Sequence, residues 1–129
     1  MTTELKFLFY AVLWGLFHIF LEIGASLYVQ GFKWTFSSRD TGTPEFPGLF
    51  GRVVRSRKNF LETLPFFMAA VFMVQITSAN NSTSLLGAQL YLVSRVIYLP
   101  LYLFGIPGLR TLAWMVSVGG ILLILSVLI

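Results

Sequence analysis

The residues able to do chemistry fall in three short blocks. The first is Gly51–Phe67, where Arg52, Arg55, Arg57 and Lys58 precede Asn59 and Glu62 and run into the apolar segment from Phe66 to Met73. On a helix advancing ~100° per residue, Arg52, Arg55, Asn59 and Glu62 fall within an arc of about 80°. Arg57 lies about 140° off that stripe by the same count, which marks it as a topology or headgroup contact. The second block is Tyr91, Arg95, Tyr98 and Tyr102, spaced by four, three and four residues in a stripe only ~60° wide. The third is Arg110, Thr111, Trp114 and Ser117. A polar stripe dipping into a membrane span suggests a site, and Asn59, Glu62, Tyr102 and Arg110 lie nearest the opening where a water-soluble ligand could enter. With no cysteine in the chain, any thiol chemistry must use a thiol brought by a small molecule.

These blocks sit in a chain that is 57% hydrophobic and 11% charged. Such a composition exceeds the apolar share of soluble domains and excludes disorder. It fits membrane spans of ~20 residues joined by short connections. The expected fold is an all-α membrane protein, a four-transmembrane-helix bundle running up-down-up-down. Residues 1–129 form a single domain, with spans about 6–30, 49–77, 85–104 and 109–129. On the first span Ala11, Trp14, His18, Glu22 and Ala25 share one face and should point into the bundle, because a carboxylate facing hydrocarbon costs several kcal/mol. Pro65 should kink the second span just past Glu62, and Pro100 the third.

The connections differ in character. Gly31–Gly48 is rich in turn-formers and prolines, and its stretch Arg39–Gly48 is either a site cover or a passive linker. Ser78–Ser84 is a plain polar turn, although it contains acceptor triplets for N-glycosylation at Asn80 and Asn81.

Six of the nine cations lie between Lys33 and Lys58, which reads as a topology signal before it reads as nucleic-acid binding. No nucleic-acid partner and no metal are expected. The positive-inside rule puts the first and third loops in the cytoplasm and both termini outside it. At ~1.5 Å per residue, Glu22, Glu62 and Arg95 share a layer roughly 14–16 Å deep. Mutual pairing there is the expected arrangement.

The run Arg55-Ser-Arg-Lys-Asn59-Phe-Leu-Glu62-Thr-Leu-Pro65 resembles the second-helix signature of the MAPEG family, the membrane-associated proteins in eicosanoid and glutathione metabolism. Arg95-Val-Ile-Tyr98-Leu-Pro-Leu-Tyr102, followed by Pro107-Gly-Leu-Arg110-Thr111, supports it. The resemblance covers the entire chain and is closer to the short bacterial branch. It implies a homotrimer in a bacterial inner membrane, among membrane lipids, with glutathione as cosubstrate bound between subunits near the cytoplasmic face. By the same resemblance Arg110 holds the glutathione thiolate. Asn59 and Glu62 match the tripeptide ligands on helix two, beside Lys58 and Arg55. Arg95, Tyr98, Tyr102 and Thr111 complete the expected binding set.

The implied activity is a glutathione-dependent transferase or peroxidase acting on a lipophilic small-molecule substrate. Some enzymatic members have a tyrosine where this chain has Trp114. The family also contains members that bind lipid or a partner without catalysis, so a non-catalytic lipid-binding or scaffold protein is the alternative. His18, Glu22, Glu62 and Arg95 in one layer also raise ion or proton transport, but the outer halves of the spans have few polar residues to carry a water path.

Overall fold

The structure is a computed structural model that describes residues 1–38, 40 and 48–129. Most of the segment considered as a site cover, Arg39 and residues 41–47, lies outside the described residues. The four helices are α1 (Thr3–Thr35), α2 (Gly48–Ile76), α3 (Ser82–Leu103) and α4 (Pro107–Ser126). All four are long and apolar enough to cross a membrane. In a bilayer every backbone N–H and C=O must be satisfied within the protein, and helices do this within one segment. The boundaries expected from the sequence fall within a few residues of these.

Local chemistry sets the ends. Thr2 caps α1 through its Oγ1, which accepts from the Leu5 N–H at 3.4 Å. Asn81 opens α3, its Oδ1 accepting from the N–H groups of Thr83 and Ser84. Ser84 Oγ in turn accepts from the Asn81 N–H at 2.9 Å, a reciprocal capping box. Asn81, one of the two asparagines considered as glycosylation acceptors, thus uses its side-chain oxygen as a helix cap. Pro107 starts α4, where its missing N–H costs nothing. Pro65 and Pro100 lie inside α2 and α3, and neither ends its helix. The non-helical residue is instead Gly31 in α1, at φ 82° and ψ 169°.

Packing is tightest between α3 and α4, where backbones touch. A Cβ added at Gly87 would stand 2.5 Å from the Gly120 carbonyl oxygen, and one at Gly120 would stand 2.6 Å from that of Gly87. Only the absence of both side chains permits this approach. The core runs from Leu8 and Ala11 through Phe60, Phe67, Ala70, Val71, Val74, Ala88 and Tyr91 to Ile121 and Ile124. Large apolar residues such as Phe9, Phe20, Phe66 and Leu122 face outward, as lipid contact requires.

The expected inward face of α1 is observed, with Ala11, His18 and Ala25 buried. His18 Nδ1–H donates to the Trp14 carbonyl at 2.8 Å, and its ring stacks on Phe60 at 5.0 Å. The ion pairing differs from the expectation. Glu22 pairs with Arg57, not with the Arg95 layer, so Arg57 is an interhelical partner rather than a topology or headgroup contact.

Candidate functional site

The polar stripe of α2, the tyrosine stripe of α3 and the first turns of α4 meet at one end of the bundle. They enclose a cleft of ≈350 Å³ lined by Asn59, Tyr98, Tyr102, Arg110, Thr111 and Trp114. That volume sits at the low end of the roughly 300–1,000 Å³ of small-molecule sites. The α3–α4 turn, between the cleft residues Tyr102 and Arg110 in the chain, is held from α2. Arg52 Nη1 donates to the Leu103 carbonyl at 3.0 Å, one of the free acceptors at a helix C-terminus. A Cβ on Gly105 would lie 3.2 Å from the same guanidinium, and Gly105 has φ +69°. Glycine therefore meets two demands there, a left-handed turn and room for Arg52.

Each cation in the cleft region is held by an aromatic or a phenol. The Arg110 guanidinium lies 4.7 Å from the Tyr102 ring centroid, within range of a cation–π contact worth ~1 kcal/mol. Arg55 Nε donates to the Tyr102 hydroxyl at 3.3 Å. Tyr102 thus gathers two arginines, one on its face and one at its edge. Its ring also packs at 5.6 Å against Tyr98. Arg95 lies deeper, 4.4 Å from the Tyr98 ring and 5.5 Å from Phe60.

Arg95 is only 1% exposed, and its Nε and Nη1 have no hydrogen-bond partner among the described residues. A buried guanidinium without a partner is costly, and ring faces offset only part of that cost. Asn59 Oδ1 on the cleft wall is likewise buried and without a partner among the described residues. Thr111 Oγ1 donates to the Pro107 carbonyl at 3.0 Å, which leaves its lone pairs to accept.

Five of the residues singled out from the sequence, Asn59, Tyr98, Tyr102, Arg110 and Thr111, line one cleft. Arg55 reaches its edge through Tyr102, and Arg95 backs Tyr98. Lys58 and Glu62 do not line it; both are exposed on α2. Tyr91 separates from the stripe: its ring stacks on Phe67 at 4.0 Å and its hydroxyl meets Thr63 Oγ1 at 3.0 Å, which makes it core. Arg52, on the same polar stripe of α2, reaches the C-terminal end of α3.

Trp114, which belongs to the third block but not to the expected binding set, also forms part of the wall. Its spacing of one helical turn from Arg110 is the signal that could have found it.

The arrangement can hold an anion. Arg110 and Arg55 supply positive charge, Tyr98 and Tyr102 supply hydroxyls, and the Asn59 amide can pair with a polar ligand. Aromatic walls add contact area for an apolar portion. A comparison at the level of families matches residues 7–129 to the MAPEG family. No curated protein and no solved structure matches the chain. With its four candidate spans and a family match over nearly its full length, the chain is an integral membrane protein that belongs to the MAPEG family.

Proposed function

We propose that the protein is a glutathione-dependent transferase or peroxidase acting on lipophilic electrophiles. The observation that carries this reading is the single cleft that groups Arg110 with Asn59, Tyr98 and Tyr102. Glutathione carries two carboxylates, an ammonium and a thiol, so its site needs several hydrogen-bond donors and at least one acceptor. Arg110, Arg55 and the tyrosine hydroxyls are the donors, and Asn59 Oδ1, without a partner among the described residues, is an acceptor suited to the ammonium.

In this reading Arg110 holds the thiolate. A guanidinium beside sulfur favours the ionised form and so raises the nucleophile fraction at neutral pH. The Tyr102 ring beneath Arg110 limits the directions the guanidinium can take, which orients it toward the cleft. In conjugation the sulfur forms a bond to the electrophilic carbon as the leaving group departs with its electron pair. In peroxide reduction two thiols are oxidised to a disulfide while the hydroperoxide becomes an alcohol and water.

The oligomer belongs to the same proposal. Arg55, Lys58 and Glu62 are exposed on a membrane-spanning helix, and charges facing hydrocarbon are costly. A homotrimer in which a neighbouring copy covers this face removes the cost and brings Glu62 and Lys58 toward a shared site. The positive first loop supports an orientation with both termini outside the cytoplasm, and the likeness to the short bacterial branch supports a bacterial inner membrane.

Calorimetric titration of glutathione into purified protein tests the reading, with Arg110→Ala as the comparison. Binding by the wild type that is lost in the variant is the expected result. No heat of binding by the wild type would sink the proposal. Binding without turnover of aryl halides or lipid hydroperoxides would remove the enzyme and keep the site.

A further inference from the structure

The first helix continues past the end of its apolar run, and it does so in a new direction. Gly31 leaves helical geometry at φ 82° and ψ 169°, a conformation open to glycine at little cost. One further helical turn follows, closed by Phe36 N–H to the Phe32 carbonyl at 3.2 Å and by Ser37 N–H to the Trp34 carbonyl at 3.1 Å. Thr35 sets the direction of that turn. Its Oγ1 donates to the Gly31 carbonyl at 2.8 Å and lies 2.9 Å from Ser26 Oγ. Nine residues of straight helix would separate Ser26 and Thr35 by about 13–14 Å along the axis. The two hydroxyls can meet only if the chain folds back on α1, and both residues are buried as a result.

The outer side of this reversed turn is apolar and positive. Phe32 is 73% exposed and Phe36 64% exposed, and their rings pack on each other at 4.6 Å. Tyr28, on the last turn of α1 before the reversal, is 81% exposed, with its ring 5.4 Å from Phe50. Lys33 is exposed as well, and there is no Asp or Glu between Ile23 and Ser38. Position along the membrane normal completes the picture. The straight part of α1, Thr3 to Gln30, is about 42 Å long at ~1.5 Å per residue, against ~30 Å of hydrocarbon. Centred in the bilayer, it overshoots each edge by about 6 Å. A turn folded back from there returns its rings to the headgroup–acyl boundary, the layer where aromatic side chains concentrate.

We propose that the reversed turn Phe32–Phe36 is an in-plane membrane anchor. Phe32 and Phe36 insert at the headgroup–acyl boundary of the leaflet at the α1 C-terminal end, and Lys33 pairs with the phosphates of anionic lipids there. Interfacial elements bind by this combination of buried apolar area and attraction to anionic lipid. The occupant of the exposed face is therefore lipid rather than a second copy of the chain. The α2 N-terminus and the α3–α4 turn lie at the same end, so the anchor also fixes the depth of the cleft mouth. It stands independently of any assignment of the thiol or the substrate.

The absence of cysteine makes the test clean. Nitroxide labels would be placed singly at Phe32→Cys, Phe36→Cys and Ser38→Cys, and the full chain reconstituted in phosphatidylcholine vesicles with and without phosphatidylglycerol. Labels at 32 and 36 should be relaxed more by oxygen than by an aqueous nickel chelate, and the label at 38 the reverse. Adding Lys33→Gln should abolish any deepening caused by phosphatidylglycerol. Equal chelate access at all three positions would overturn the anchor, and so would spin–spin broadening between copies without oxygen preference. As a check that needs no substitution, a lipid with a diazirine near its headgroup should label the peptide containing Phe32 and Phe36 in the wild-type chain. Labelling of Phe9–Phe20 or other spans with none on that peptide would also overturn it.

Discussion

Arg57 of α2 is ion-paired with Glu22 of α1, through the guanidinium Nε and carboxylate Oε2. The two side chains are only 24% and 25% exposed, on helices that cross the membrane. The pair therefore joins α1 to α2 inside a medium that cannot solvate either partner alone. It also explains why a carboxylate is tolerated at position 22.

Breaking this pair should destabilise the fold more than removing it. Arg57→Gln alone leaves Glu22 without its cation, and a loss of about 1–3 kcal/mol is expected for a charged hydrogen bond of this kind. The double variant Glu22→Gln, Arg57→Gln should lose less than the sum of the single changes, since neither charge is then stranded. Thermal unfolding in detergent, followed by helical circular dichroism across the four proteins, measures the coupling. Additive losses would show that the pair contributes nothing.

Arg95 should behave in the opposite way. Its Nε and Nη1 have no hydrogen-bond partner among the described residues, so its burial costs free energy that the ring faces of Phe60 and Tyr98 offset only in part. Arg95→Met, similar in length and apolar, should leave the Tm of the ligand-free protein unchanged or raise it. Because Arg95 does not line the cleft but backs Tyr98, the same variant should weaken glutathione binding only through that ring, by the ~1 kcal/mol of a cation–π contact, roughly fivefold. Titration calorimetry and unfolding on the same preparations separate the two effects. A large drop in Tm without ligand would assign Arg95 to the fold instead.

Tyr102 offers a graded test, because its ring and its hydroxyl serve different arginines. Tyr102→Phe keeps the face beneath Arg110 and removes the acceptor of Arg55. A loss of roughly 1 kcal/mol, about fivefold in glutathione affinity, is expected. Tyr102→Leu removes both contacts and should cost more, by the ~1 kcal/mol of a cation–π contact. Ultraviolet difference absorbance of bound thiolate should fall in the leucine variant and persist in the phenylalanine one.

Gly87 and Gly120 make a prediction about the scaffold. Alanine at either position brings a methyl group within 2.6 Å of a carbonyl oxygen on the facing helix, so α3 and α4 must separate. Overpacking of this kind costs about 1–3 kcal/mol, and the two substitutions should not be additive because one separation relieves both. Gly119→Ala, with open space around its Cβ position, is the matched control and should unfold like the wild type.

The helices and their inward faces could be read from the chain because both depend on local spacing. Apolar runs of membrane-spanning length announced the four spans, and the i, i+3, i+4 repeat placed Ala11, His18 and Ala25 inside. The same repeat put Asn59 on the polar stripe of α2 and Tyr98 and Tyr102 on that of α3. Arg110 and Thr111 were marked by their clustering at the start of the last span and by the family resemblance. Which of these share a cleft depends on how three helices lean on one another, and no spacing within one helix encodes that. Lys58 and Glu62 lie within a turn of Asn59, yet they face outward while Asn59 lines the cleft.

Arg57 shows the limit most clearly. Its position off the polar stripe of α2 was a correct reading of helical geometry. Its partner was hidden because Glu22 belongs to another helix, which packs on that other side. Gly31 carries a similar lesson. As the first residue of a loop it marked the end of a span, but the reversal beyond it comes from Thr35 reaching Ser26, a contact across nine residues that no periodicity foretells. Periodicity determines which face of a helix is polar; only packing decides what that face meets.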